Sequence, residues 1–328
     1  MDEIASRLAE KWGFSPTEEL PAGHCSRVYA DATRVLKVPF RGEEMSSGWR
    51  AALLLSGGIG PEVFEHDSET GSLLMERVVP GTTLADSGLS DEDCLEIVLG
   101  FAAQMRGLPA EGMLPLSEYF DRDSMSLRWL DASSPEKVFL HGDLHHFNIL
   151  WDERKGWRVI DPKGLVGDPS FEMTAFLRNP IPYVADWPGL SSVFEQRLAR
   201  MDRVPEVEGT RVLAWQILDE PDPGSPWEIT HQVMGEMLDA LGGTFSFEGQ
   251  EIPYRPFESV LDALLRAKVR IGFSCRVGDC LSCLARCESG TLSPESQEGL
   301  TGRMKQIRTS KTCSLRAVHV TKMTRLQG

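Results

Sequence analysis

Two groups of residues in this 328-residue chain have types and spacings that chemistry can use. The first lies in the run Val138-Phe-Leu-His-Gly-Asp-Leu-His-His-Phe-Asn148 and extends to Asp161. Asp143 and Asn148 are five residues apart, and Asp161 follows after a second strand-like run. Phosphoryl transfer needs a carboxylate beside the acceptor hydroxyl and hard oxygen ligands that hold Mg²⁺ on the phosphates. One Asp, one Asn and a second Asp on a rigid hairpin meet that need. The second group lies near the C-terminus. Cys275, Cys280 and Cys283 follow the spacing C-x₄-C-x₂-C, and Cys313 comes after 29 further residues. Four thiolates at that spacing suit a two-iron cluster, which soft sulfur donors stabilise. Zinc is the chief rival, although structural zinc sites more often use two short Cys-x₂-Cys pairs and only one is present. Cys287 is an alternative to Cys313 as the fourth ligand. His145 and His146 are adjacent, so their side chains point apart and do not suit a shared metal.

The blocks Leu140-His-Gly-Asp-Leu-His-His-Phe-Asn-Ile-Leu150 and Ile160-Asp-Pro-Lys-Gly-Leu-Val-Gly-Asp-Pro-Ser-Phe-Glu172 resemble the aminoglycoside and hydroxyurea phosphotransferases. The streptomycin 6-phosphotransferases are the nearest subgroup, and the resemblance covers roughly residues 20–242. It implies a bilobal, protein-kinase-like fold of α+β class that uses ATP and Mg²⁺ on a small-molecule acceptor. By the same resemblance Asp143 takes the catalytic-base position and Asn148 and Asp161 take the magnesium positions. His141 matches a position that supports the loop, and Gly167-Asp168-Pro169 with Glu172 match a segment following the metal Asp. Lys37, in Val35-Leu-Lys-Val-Pro-Phe40, would hold nucleotide phosphates as a point charge. Gly23-His-Cys-Ser26 resembles the turn that covers phosphate, which places Ser26 at the nucleotide. Met75-Glu76-Arg77-Val78 resembles the hinge that meets adenine through its backbone, so Glu76 and Val78 are further nucleotide-binding candidates. Two departures stand out. Relatives carry a helix Glu paired with the phosphate-binding Lys, and Trp49 aligns there; Glu43 or Glu44 could replace it only if the helix starts sooner. Around residues 214–230, where relatives build part of the acceptor site, an acidic, proline-rich stretch (Asp219–Pro226) intervenes.

Residues 244–328 are similar to a plant-type two-iron two-sulfur ferredoxin of the β-grasp fold. That resemblance implies Cys275, Cys280, Cys283 and Cys313 as the ligands of a 2Fe-2S cluster.

The elements that must position these groups follow from pattern. Arg27–Ala30 and Val35–Pro39 read as a hairpin turning at Asp31-Ala-Thr33. Ser46–Ser56 reads as a helix closed by Gly57-Gly58, and Pro61–His66 and Leu73–Val78 as strands. Ser90 caps a helix running to Arg106, with Asp93 completing a capping-box-like arrangement. Phe139–Asp161 has a strand–turn–strand character, and Val193–Met201 and Trp227–Leu241 read as helices. Thr244–Tyr254 reads as a hairpin and Phe257–Arg266 as a helix. Three segments result: an N-lobe over 1–78, a C-lobe over 79–242, and a small iron–sulfur domain over 243–328, with Gly242-Gly243 as the linker signal.

Charge separates the parts further. The chain carries a formal charge of -15, which argues against nucleic-acid binding. Residues 243–328 hold 13 Lys and Arg against 8 Asp and Glu, while the remainder holds 21 against 41. That sign change suggests that the basic tail docks on the acidic remainder, and the acidic remainder would attract a cationic acceptor. No apolar run approaches the roughly 18 residues of a membrane span, and the acidic N-terminus is unlike a signal peptide. The expectation is a cytoplasmic ATP-dependent phosphotransferase with an electron-transfer or redox-sensing module and a redox partner for it. The rival expectation is an electron-transfer protein whose kinase-like part is a weak nucleotide-binding regulator.

Overall fold

In a computed structural model, residues 1–21, 25–40, 44–120, 123–274, 284–291, 312–314 and 319–325 are described, with backbone alone for Glu44, Met45 and everything beyond 274. The chain divides into two compact units. One comprises residues 1–119 and 135–207, the other 120–134 and 208–328.

The first unit opens with helix α1 (Glu3–Lys11), whose N-terminal amide of Ala5 is capped by Asp2. Strands β1 (Glu18–Leu20), β2 (Ser26–Ala30), β3 (Arg34–Pro39), β4 (Val63–Asp67) and β5 (Ser72–Glu76) form an antiparallel sheet in the order β1-β2-β3-β5-β4. Asp31 builds the β2–β3 turn by accepting from the Thr33 and Arg34 amides at 2.8 and 2.7 Å. Strand alternation then sorts the faces. Leu36, Val38, Tyr29 and Leu74 bury one face against Ala5 and Ala9 of α1. Lys37, the residue between Leu36 and Val38, must therefore point to the opposite face.

On that opposite side a π-helical turn over Glu44–Gly48 runs directly into helix α2 (Trp49–Leu55). The helical run thus starts earlier than the sequence pattern suggested. After strand β6 (Pro80–Thr83) comes α3 (Asp91–Met105), capped by Ser90, whose Oγ accepts from the Asp93 amide at 3.1 Å. Strand β7 (Leu114–Pro115) and the short helix α4 (Leu116–Tyr119) lead into the second unit, where helix α5 (Met125–Ala132) lies. The chain then returns with β8 (Val138–Leu140), β9 (Ile149–Asp152), β10 (Gly156–Val159) and β11 (Leu165–Gly167). Two small sheets result, β10-β9-β6 and β7-β11-β8. Helices α6 (Thr174–Arg178) and α7 (Leu190–Met201) complete the unit.

The second unit adds α8 (Gly209–Leu218) and α9 (Trp227–Ala240) to α5, and then a sheet. Its strands are β12 (Gly243–Phe247), β13 (Gln250–Tyr254), β14 (Leu284–Thr291), β15 (Thr312–Ser314) and β16 (His319–Arg325), with α10 (Val260–Arg266) between β13 and β14. Their order is β13-β12-β16-β14-β15, and the first strand lies parallel to the last. Phe245, Phe247, Ile252, Leu261 and Leu264 form a core that takes in Met125 of α5. Ser126 and α10 are pinned together by Asp262, whose Oδ2 accepts from the Ser126 amide and hydroxyl and from the Ser259 hydroxyl. Inside this unit Arg255 forks onto Asp239 of α9 with two contacts of 2.8 Å, and Arg266 adds a third at 3.3 Å. The Gly242-Gly243 step is close-packed: a Cβ on Gly242 would fall 1.9 Å from the Tyr254 carbonyl oxygen.

Candidate active site

β8 ends at Leu140, and the chain turns through His141-Gly142-Asp143 before β9 begins. Gly142 has φ +83°, and a Cβ there would lie 2.8 Å from Leu165 Cδ1, so both backbone and space demand glycine. Beneath the turn sits the buried Glu172. Its two oxygens accept from the His141 and Gly142 amides at 2.7 and 3.2 Å. Burial pushes its carboxyl up to about 7 against those two hydrogen bonds, with the Asp143 charge adding to the rise. The His141 ring is wholly buried. Its Nε2 lies 2.9 Å from the Ile160 carbonyl oxygen, and its Nδ1 accepts from the Asp143 amide at 3.3 Å. That pattern places the single ring proton on Nε2. Burial holds its pKa down to about 4, although the Asp143 charge opposes the drop. A neutral His141 therefore ties the loop carrying Asp143 to the residue before Asp161.

The sequence-expected residues converge here. Asn148 donates through Nδ2 to the Asp143 carbonyl oxygen at 2.9 Å and approaches its Oδ2 at 3.4 Å. The Asn148 carbonyl receives the Ile160 amide at 2.9 Å, which sets the Asn148 and Asp161 backbones side by side. Asp161 stands at φ 59°, a left-handed conformation that turns its carboxylate out of the strand line. Lys37 Nζ reaches across from the sheet to 3.0 Å from Asp161 Oδ1. The donor set suits a small hard cation. The described bonds of Asn148 all use Nδ2, leaving Oδ1 to coordinate, and the Asp161 side chain is 36% exposed. Among the described residues no cluster of three or more His, Cys, Asp or Glu forms a metal cage of its own.

Three further groups at the site had no role there in the sequence reading, which weighed His145 only as half of a metal pair. His145 Nε2 lies 3.5 Å from Asp143 Oδ1, and its Nδ1 accepts from the Phe147 amide at 3.2 Å. Arg178, the last residue of α6, lies 3.9 Å from the same Asp143 oxygen. Lys163 acts by charge. Burial alone would raise the Asp143 carboxyl, but the hydrogen bond and charge of His145, with the charges of Lys163 and Arg178, hold it well below the usual carboxylate range. Arg178 sits 35 residues from Asp143 in sequence, on a helix too short to show periodicity.

The other nucleotide candidates stand at the two ends of the first sheet, Ser26 beside the last residue of β3 and Glu76 beside its first. Ser26 is buried in β2 opposite Pro39. The Glu76 amide is taken by the Glu62 carbonyl at 2.7 Å, and its side chain pairs with Lys155 at 2.6 Å. Among the described residues the Val78 amide has no backbone acceptor. Trp49 stacks on His66 with centroids 5.3 Å apart, and it lines a largely apolar cavity with Lys37, Met75 and Asp161. Glu44 heads the helical run, so the condition for a carboxylate substitute ahead of Trp49 is met by the backbone. Gly23, His24 and Glu43 lie outside the described residues, as do Cys275, Cys280 and Cys283. Cys313 is placed by its backbone alone, on β15 opposite Ala285 of β14.

Residues 11–220 match the family described as aminoglycoside/hydroxyurea antibiotic resistance kinase. The chain belongs to that family. This kinase also carries, over residues 245–318, a match to the 2Fe-2S iron-sulfur cluster binding domain. A streptomycin 3''-kinase of Klebsiella pneumoniae is 32% identical to it over 236 residues, covering 63% of this chain and 86% of the relative. A streptomycin 6-kinase of Streptomyces glaucescens is 26% identical over 244 residues, covering 66% and 75%. A hydroxyurea phosphotransferase of Kitasatospora aureofaciens is 31% identical over 205 residues, covering 53% and 60%. The kinase is thus a phosphotransferase of mixed helix and strand fold with an iron–sulfur module behind it. Among the described residues no helix is long and apolar enough to cross a membrane.

Proposed function

We propose that this chain transfers the terminal phosphoryl group of ATP to a hydroxyl of a small, polar, aminoglycoside-like molecule. The observation that carries the reading is the convergence of Asp143, Asn148, Asp161 and Lys37, from three separate stretches of chain. In this reading Asp143 accepts a hydrogen bond from the acceptor hydroxyl and orients it. With its carboxyl held so low, it is a weak base, and proton transfer comes late in the step. Lys37 leaves Asp161 for the phosphates once nucleotide enters. Asn148 Oδ1 and the Asp161 carboxylate are the ligands for Mg²⁺, which when bound neutralises charge on the phosphates. Adenine meets the segment from Glu76 to Val78, where the Val78 amide is available to donate, and Ser26 borders the phosphates. Relatives named as streptomycin kinases support an aminoglycoside acceptor. The deciding assay measures ADP release with streptomycin and with hydroxyurea. Asp143→Ala should lower turnover at least about a thousandfold while nucleotide affinity stays within about twofold. Wild-type rates in that variant would refute the assignment.

The C-terminal module is read as a β-grasp ferredoxin domain over 243–328. The parallel pairing of β12 with β16 and the family match support this. Its ligands are Cys275, Cys280, Cys283 and Cys313, and its role is electron transfer or redox sensing with a partner.

A further inference from the structure

A row of aromatic rings leads outward from Asp143. His145, 3.5 Å from the carboxylate, meets the Phe147 ring edge-on at 5.9 Å between centroids. Phe147 in turn meets Tyr183 at 6.3 Å, and Tyr183 is 55% exposed. An exposed tyrosine on a loose loop would mean little, but this one stands on a fixed mount. Arg197, 1% exposed, donates to the carbonyls of Phe176, Leu177 and Asn179 at 2.9, 2.7 and 2.7 Å. Its other guanidinium nitrogens hold both oxygens of Asp91. Asn179 accepts from the Ile181 amide at 3.1 Å, and the Val184 amide closes onto the Pro180 carbonyl at 2.7 Å. The segment that presents Tyr183 is therefore tied at its start to the buried arginine, and beyond its far end the Trp187 ring lies 5.5 Å from the same guanidinium.

We infer that Phe147 and Tyr183 form the aromatic surface against which a ring of the acceptor packs. This rests on the phosphotransferase reading. Aromatic faces pack against the C–H faces of a saturated ring and leave its rim hydroxyls free. The row starts at the carboxylate that would receive one of those hydroxyls. A compact acceptor without a ring, such as hydroxyurea, gains nothing from Tyr183.

Two readouts keep the platform and the enzyme reading apart. Steady-state turnover with streptomycin and with hydroxyurea tests the enzyme. Saturation-transfer NMR from protein aromatic protons to streptomycin C–H protons tests the platform whether or not phosphate moves. Tyr183→Ala should raise the streptomycin KM about tenfold, with kcat, the ATP KM and the hydroxyurea KM unchanged. Tyr183→Phe should restore the wild-type KM, and Phe147→Leu should weaken streptomycin as Tyr183→Ala does. Proton–phosphorus correlation in the product locates the phosphate on a sugar or a cyclitol ring. An unaltered streptomycin KM and undiminished saturation transfer in Tyr183→Ala would overturn the platform, as would an equal loss for hydroxyurea. Absence of turnover with every acceptor would overturn the enzyme reading, and the NMR signal would then decide the platform alone.

Discussion

Lys37 Nζ and Asp161 Oδ1 stand 3.0 Å apart, joining the face of the first sheet opposite α1 to the strand end that follows β10. The lysine is almost fully buried, so its charge is set against the carboxylate with little water to screen it. Nucleotide must exchange this pair for phosphate and cation. Lys37→Met removes the charge but keeps the stem. It should raise the ATP KM and lower kcat, together costing about a hundredfold or more in kcat/KM for ATP, with the acceptor KM little changed. Initial-rate kinetics with each substrate varied in turn check this.

Buried His141 and Glu172 pull stability in opposite directions with pH. His141 has its folded pKa lowered to about 4, so its contribution is whole above about pH 6.5 and is lost as pH falls toward 4. The lost stability is on the order of 3 kcal/mol at most. Glu172 has its folded pKa raised to about 7, so its contribution is whole below about pH 4.5 and is lost as pH rises through 7. The two nearly offset between pH 4.5 and 6.5. Glu172→Gln removes one slope and leaves the other. Urea unfolding should show a lower stability for the variant throughout and a steeper rise from pH 4.5 to 6.5 than in wild type.

Gly164 holds the junction between the helical run and the strand β11. It has φ +71°, and a Cβ would meet the Ser47 carbonyl oxygen at 2.7 Å. The Ser47 hydroxyl donates to the Lys163 carbonyl oxygen at 2.8 Å. Gly164→Ala has to open this junction, at a cost of about 2–4 kcal/mol from strain and displaced backbone. Thermal denaturation should show the loss, and Ser47→Ala should show a smaller one of about 1 kcal/mol.

In the second unit, Asp262 takes three hydrogen bonds through one oxygen. Asp262→Ala leaves Ser126 and Ser259 short of acceptors between α5 and α10. A loss of about 2–4 kcal/mol is expected. Amide hydrogen exchange should quicken in both helices together; quickening in α10 alone would show that α5 is not bound to it.

How legible these features were depended on whether the cause lay close in sequence. Asp143, Asn148 and Asp161 were readable because a short loop and one hairpin bring them together, and the spacing itself carries the geometry. Asp31 and Ser90 were readable because a turn and a cap are local. Arg197 was not: it shares the buried side of α7 with Phe194, Leu198 and Met201, and on pattern alone an arginine there reads as a solvent residue. Helix α8 is buried nearly all round and has no side-chain cap, so it offers neither an amphipathic stripe nor a start signal. The helical run that carries Trp49 begins at Glu44, two residues before the expected Ser46, through a π-helical turn that a periodicity of 3.6 does not reveal. Gly242-Gly243 read as a flexible joint, whereas the missing side chains serve close packing on Tyr254.

Met125 completes the apolar core that Phe245, Ile252 and Leu264 build. Anyone trimming the chain after residue 242 to obtain the transferase alone would strip that methionine of its surroundings and strand Ser126 without its carboxylate. Such a fragment is a poor candidate for expression, since α5 would offer a sticky face to its neighbours in solution. The iron–sulfur segment thus behaves as a fixture of the fold rather than as a detachable cartridge, and swapping it between kinases calls for α5 to travel with it.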